Sequence, residues 1–90
     1  MEIHYIGANW CKACHAVKPT AKRISEEAKL SFVEHDYDTL SEADQTKIGK
    51  LPTIYVKENN KIQAEFMTGT AADSLKLYLQ SKKLLPEEEF

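Results

Sequence analysis

Cys11 and Cys14 are the only thiols in the 90-residue chain, and two residues separate them. They lie in Trp10-Cys11-Lys12-Ala13-Cys14-His15, directly after a short apolar run and at the head of an amphipathic stretch. The reactive form of a cysteine is its thiolate, which unpaired backbone N–H groups and the positive end of a helix dipole both favour. Cys11, at the helix start, is therefore the expected nucleophile. Cys14, one helical turn on, is near enough to close a disulfide and release whatever Cys11 has captured. Lys12 and His15 are candidate modulators: Lys12 raises the local positive potential, and His15 shares a helical face with Cys11. The same letters spell C-x-x-C-H, the attachment sequence of c-type haem, for which His15 and Met67 would be axial ligands. Structural zinc needs four ligands, and Cys11, Cys14 and His15 leave one to be found by folding back His4 or His35. No resident metal or other cofactor is expected.

Composition narrows the field. Ninety residues suit one domain, 1–90, with room for a single site. Lysine and arginine number 12 against 14 acids, a net charge of −2, so no broad basic field favours nucleic acid or anionic lipid. No apolar run approaches the roughly 20 residues of a membrane span, and Met1 to Tyr5 lacks the form of a signal peptide. The expectation is a cytoplasmic monomer, and a cysteine pair in that compartment is catalytic or metal-binding more often than a structural staple.

The elements that must position these groups follow from periodicity. Ile3, Tyr5 and Ile6 mark a short strand, and Gly7-Ala8-Asn9 a turn. Cys14, Val17, Ala21, Ile24 and Ala28 form one helical stripe that Pro19 should kink. Leu30 to His35 reads as a second strand and Ser41 to Ile48 as a short helix. Thr53 to Val56 and Ile62 to Phe66 flank a turn containing Asn59-Asn60, which suits an antiparallel hairpin with positive φ. Thr70-Ala71-Ala72-Asp73 has the capping-box form, and Leu75, Tyr78 and Leu79 mark a last helix ending before Pro86, with Glu87 to Phe90 frayed. The order βαβαββα predicts an α/β fold: a four-stranded mixed sheet, first two strands parallel, flanked by helices on both faces.

Over nearly its whole length the chain resembles the thioredoxin superfamily. Trp10-Cys11-x-x-Cys14 resembles the thioredoxin active site, and Pro19 matches the kink of its helix. Ile48-Gly49-Lys50-Leu51-Pro52-Thr53 is similar to the loop whose proline is cis and faces the disulfide, and Gly69 matches a glycine near the substrate groove. The resemblance implies that Trp10, Leu51, Pro52 and Gly69 form the edge that receives a partner's extended chain.

The departures bear on subtype. Thioredoxins hold a buried aspartate six residues before the first cysteine, paired through water with a lysine in the next strand; here those places fall on Tyr5 and Phe32. Losing both together avoids stranding a buried charge, and it removes the usual base for Cys14. Cys14-His15-Ala16-Val17-Lys18 is similar to glutaredoxin-like redoxins that serve as hydrogen donors to ribonucleotide reductase, yet the Gly-Gly pair that helps glutaredoxins hold glutathione is reduced to Gly69-Thr70.

The expected function is a thiol-disulfide oxidoreductase: Cys11 attacks a disulfide in a protein partner, Cys14 resolves the mixed disulfide, and a thioredoxin-reductase-type flavoprotein restores the dithiol. The alternatives are a glutaredoxin-like donor to ribonucleotide reductase, a haem or metal carrier, and a non-catalytic binding module.

Overall fold

The computed structural model describes residues 1–67 and 69–86. Its core begins with β1 (Glu2–Gly7), which every residue after Glu2 enters as a buried position. The strand is interior, in a sheet of order β2-β1-β3-β4. It runs parallel to β2 (Ser31–Asp36) and antiparallel to β3 (Thr53–Glu58), and β3 is antiparallel to β4 (Lys61–Phe66).

Alternation along these strands makes two unlike faces. Ile3 and Tyr5 of β1 sit beside Ile54 and Val56 of β3, and these four join the core with α1 (Lys12–Glu27) and α3 (Ala71–Ser81). Val17, Ala21 and Ile24 come from α1, and Leu75 and Leu79 from α3. Burying each such aliphatic side chain is worth about 1.5–3 kcal/mol. Ile6 and Thr53 belong to the opposite face, where they line a cavity with Asp44 of the five-residue helix α2 (Glu42–Thr46). Helices therefore flank both faces as expected, with the two long ones together on one side.

His4 points to that second face and is only 7% exposed. Both its ring nitrogens are engaged: Nδ1 meets His35 Nε2 at 2.9 Å and Nε2 meets Glu2 Oε1 at 3.0 Å. The Tyr55 ring stacks on it, centroids 4.7 Å apart. A buried imidazole with both nitrogens satisfied carries little desolvation penalty.

Several local expectations hold. Asn59 and Asn60 have φ of 54° and 63° and form the β3–β4 turn, across which β3 and β4 pair antiparallel. Others are revised. A 3₁₀ turn at Tyr37–Thr39 follows β2, capped by Asp36, whose carboxylate accepts from Asp38 N. At Thr70 the carbonyl accepts from Ser74 N at 3.0 Å, and the side chain does not make the capping bond expected of it. α1 closes without glycine, Lys29 taking φ 59° while Lys29 N bonds Glu26 O and Leu30 N bonds Ser25 O, a Schellman arrangement. The expected fraying at Glu87 to Phe90 lies outside the described residues.

Candidate functional site

The C-terminal end of β1 and the start of β3 meet at Ile6 opposite Thr53, and Gly7 pairs with Asp36 of β2. From this end of the sheet the chain turns through residues 8–10 into α1. Cys11 is the N-cap, with φ −90° and ψ 109°; its N–H donates to Ala8 O at 3.1 Å and its Sγ accepts from Cys14 N at 3.3 Å. The predicted pair is thus brought together, Cα atoms 5.3 Å apart and sulfurs joined as a disulfide. Cys11 is 8% and Cys14 2% exposed, which makes the first cysteine the more accessible residue.

The neighbours sort themselves less evenly. Trp10 is 65% exposed, its indole N–H donating to the Asp38 carboxylate at 3.1 Å and its ring edge-on to Tyr37. The indole is thus anchored by the 3₁₀ turn that sequence reasoning missed. Lys12 is exposed at the first helical position. His15 Nε2 bonds the Asn9 carbonyl at 2.8 Å, an acceptor, so this nitrogen carries the proton. That bond ties the helix back to the loop before Trp10.

The Leu51–Pro52 bond is cis, and the pairing of Ile6 with Thr53 places it at the disulfide end of the sheet. Leu51 is half-buried against the core, and Gly69 is exposed. Pro52 departs from expectation as a contact residue. Its side chain is fully buried, because the chain enters an interior strand at the next residue, so contact at this point falls to backbone and to Leu51.

Beneath the pair lies Tyr5, 3% exposed. Its hydroxyl donates to the Cys14 carbonyl at 3.2 Å. The ring passes so close to Gly7 that a Cβ there would overlap the hydroxyl and the ring carbons beside it. Burial, and secondarily the Glu34 carboxylate, pushes the phenol's pKa up to about 12, so Tyr5 is a neutral donor. Phe32 stacks on it, centroids 6.1 Å apart. Both positions set apart in the sequence thus form an aromatic pair with no charge. Strand register, invisible in the sequence, puts Glu34 directly beside Tyr5, and Glu34 pairs with Lys18 at 2.6 Å. Tyr5, Cys14, His15, Lys18 and Glu34 line one cavity of about 230 Å³.

No group of three or more His, Cys, Asp and Glu among the described residues is arranged to hold a metal, and no helix among them is long and apolar enough to cross a membrane.

The thioredoxin family model matches residues 3–81. A Dictyostelium discoideum protein provisionally named thioredoxin-5 is 30% identical over 87 residues, 92% of this chain and 80% of that one. Among solved structures, reduced thioredoxin of Schistosoma mansoni is 26% identical, with a TM-score of 0.74 over 92% of this chain and 77% of its own. Thioredoxin of Trypanosoma brucei brucei is 20% identical, with a TM-score of 0.77 over 91% and 74%.

Proposed function

From the chain's membership of the thioredoxin family, we propose that this thiol-disulfide oxidoreductase reduces disulfides in protein partners with Cys11 as nucleophile and Cys14 as resolving thiol. The observation that carries the assignment is the position of Cys11 as N-cap of α1, where it is the more exposed of the two cysteines. Once reduced, Cys11 sits where helix N–H groups and the helix dipole favour S⁻, with Lys12 adding positive potential. Cys11 S⁻ attacks one sulfur of the partner's disulfide and expels the other. Cys14 then attacks Cys11 Sγ, the partner leaves as a second thiol, and the Cys11–Cys14 disulfide returns.

Trp10, the Leu51 backbone and Gly69 are read as the docking edge, since Trp10 and Gly69 are exposed and Leu51 is half-buried beside the cis bond at the disulfide end of the sheet, where Pro52 is buried. A flavoprotein of the thioredoxin-reductase type is the proposed electron source, the cytoplasm the proposed compartment, and a monomer the proposed state. The haem reading of C-x-x-C-H gives way because the thioredoxin family model matches residues 3–81, nearly the whole chain.

The deciding experiment is trapping. Cys14→Ser should accumulate mixed disulfides through Cys11, while Cys11→Ser abolishes reduction. Adducts found only on Cys14, read by mass spectrometry, would reverse the two roles.

A further inference from the structure

Resolution of a mixed disulfide requires Cys14 to lose its proton, because the thiolate is the attacking form. Cys14 is 2% exposed, so the proton has to leave through something at its side. The buried polar side chains among the described residues are His4, Ser25 and Thr53, and none of them lines the cavity that Cys14 does. That cavity, about 230 Å³, has room for several waters. Its titratable lining comes from three elements: Tyr5 of β1, His15 and Lys18 of α1, and Glu34, His35 and Asp36 of β2.

Most of these hold a bond of their own. Tyr5 stays neutral and donates to the Cys14 carbonyl. His15 Nε2 donates to Asn9, His35 Nε2 is paired with His4, and Asp36 caps the 3₁₀ turn. Lys18 is a cation. Glu34 is singled out by its position, a carboxylate with its side chain 44% exposed. It is Tyr5's partner across the β1–β2 ladder, and Tyr5 is bonded to Cys14. It also grips Lys18, one helical turn beyond Cys14. Two independent links thus place the carboxylate across the cavity from the first turn of α1.

We infer that Glu34, through water in this cavity, accepts the Cys14 proton during resolution, a proposal that rests on the assignment of Cys14 as resolving thiol. The proton passes from Cys14 Sγ to the Glu34 carboxylate. The resulting thiolate forms the bond to Cys11 Sγ, the bond from Cys11 Sγ to the partner breaks, and the partner sulfur leaves with the electron pair. The proton then returns from Glu34 to that sulfur or to solvent. The protein dithiol is oxidised and the partner disulfide reduced, with no further reagent. Lys18 is the ion-pair partner of the carboxylate and takes no part in the proton transfer.

Dithiobis(nitrobenzoate), mixed with the reduced protein in a stopped-flow instrument, separates the steps. The first coloured thiolate reports attack by Cys11 and the second reports resolution by Cys14. Glu34→Gln should leave the first phase within about twofold and slow the second about a hundredfold near neutrality, the low end of general-base contributions. The loss should shrink as pH rises through about 8.5, where thiols ionise unaided. Glu34→Asp should fall between, and Lys18→Met should keep most of the second-phase rate. An unchanged second phase in Glu34→Gln overturns the relay, as does an equal loss in Lys18→Met, which would assign the effect to the ion pair. Absence of a second phase in the unmutated protein would instead overturn the role of Cys14.

Discussion

The Tyr5 hydroxyl occupies the space in which Gly7 would carry a side chain. The two residues are neighbours on one strand with side-chain positions on the same face, and the phenol reaches past the glycine to bond the Cys14 carbonyl. Gly7 has no positive φ, so its smallness serves space, and the two residues have to change together. Gly7→Ala should cost about 1–3 kcal/mol, the usual penalty of overpacking a closed site, because the displaced atoms belong to a rigid buried ring. Urea denaturation of the oxidised protein checks this, and a neutral Gly7→Ala would mean that the ring yields.

Tyr5 also predicts an alkaline limit. An unfolded tyrosine ionises near 10, while the folded one holds its proton to about 12. The folded form therefore binds more protons in that window, so stability is intact below pH 10 and declines as pH rises towards 12. Burial raises Tyr55 too, so a slope remains in Tyr5→Phe. Denaturation midpoints against pH should show a shallower decline in Tyr5→Phe than in the unmutated protein.

On the other face, burial first, then His4 and Lys57, holds His35 below the ordinary histidine range. Its neutral form is favoured by folding, so stability is complete above pH 6.5 and is lost as pH falls below it. Glu2, lowered by its hydrogen bond to His4, acts in the same direction at lower pH. His35→Gln should flatten the decline between about pH 6.5 and 5. An unchanged acid limb would place the titration elsewhere.

Trp10 stands beside Cys11 on a single polar anchor. Asp38→Ala should lower the fluorescence anisotropy of this sole tryptophan and reduce kcat/KM for a protein disulfide, while shifting stability by less than about 1 kcal/mol, as expected for an exposed bond. Unaltered anisotropy would show that the edge contact with Tyr37 is enough to hold the ring.

The electron source is tested by comparing NADPH and thioredoxin reductase with NADPH, glutathione reductase and glutathione. The first system should turn over faster, and the potential should fall at about −200 to −270 mV. Faster turnover with glutathione would move the chain towards the glutaredoxins.

The fold was legible wherever periodicity was strong: the α1 stripe, the Asn59-Asn60 hairpin and the element order are all written in residue types. The cysteine pair was legible because its spacing alone carries chemistry. Glu34 was not, since its relevance comes from β1–β2 register, and one residue of slip would turn it to the other face. The Trp10–Asp38 anchor depends on a 3₁₀ turn that lacks a sequence period, and Lys29 takes a left-handed conformation where glycine would have announced it.

The Asn59-Asn60 turn lies at the opposite end of the sheet from the disulfide, because β3 starts beside Ile6 and runs away from it. A strand of six residues separates the two by about 20 Å. A surface anchor or fusion spliced into that turn would therefore leave the reactive end facing outward, which gives the molecule a built-in handle for mounting on an electrode or bead in a fixed orientation.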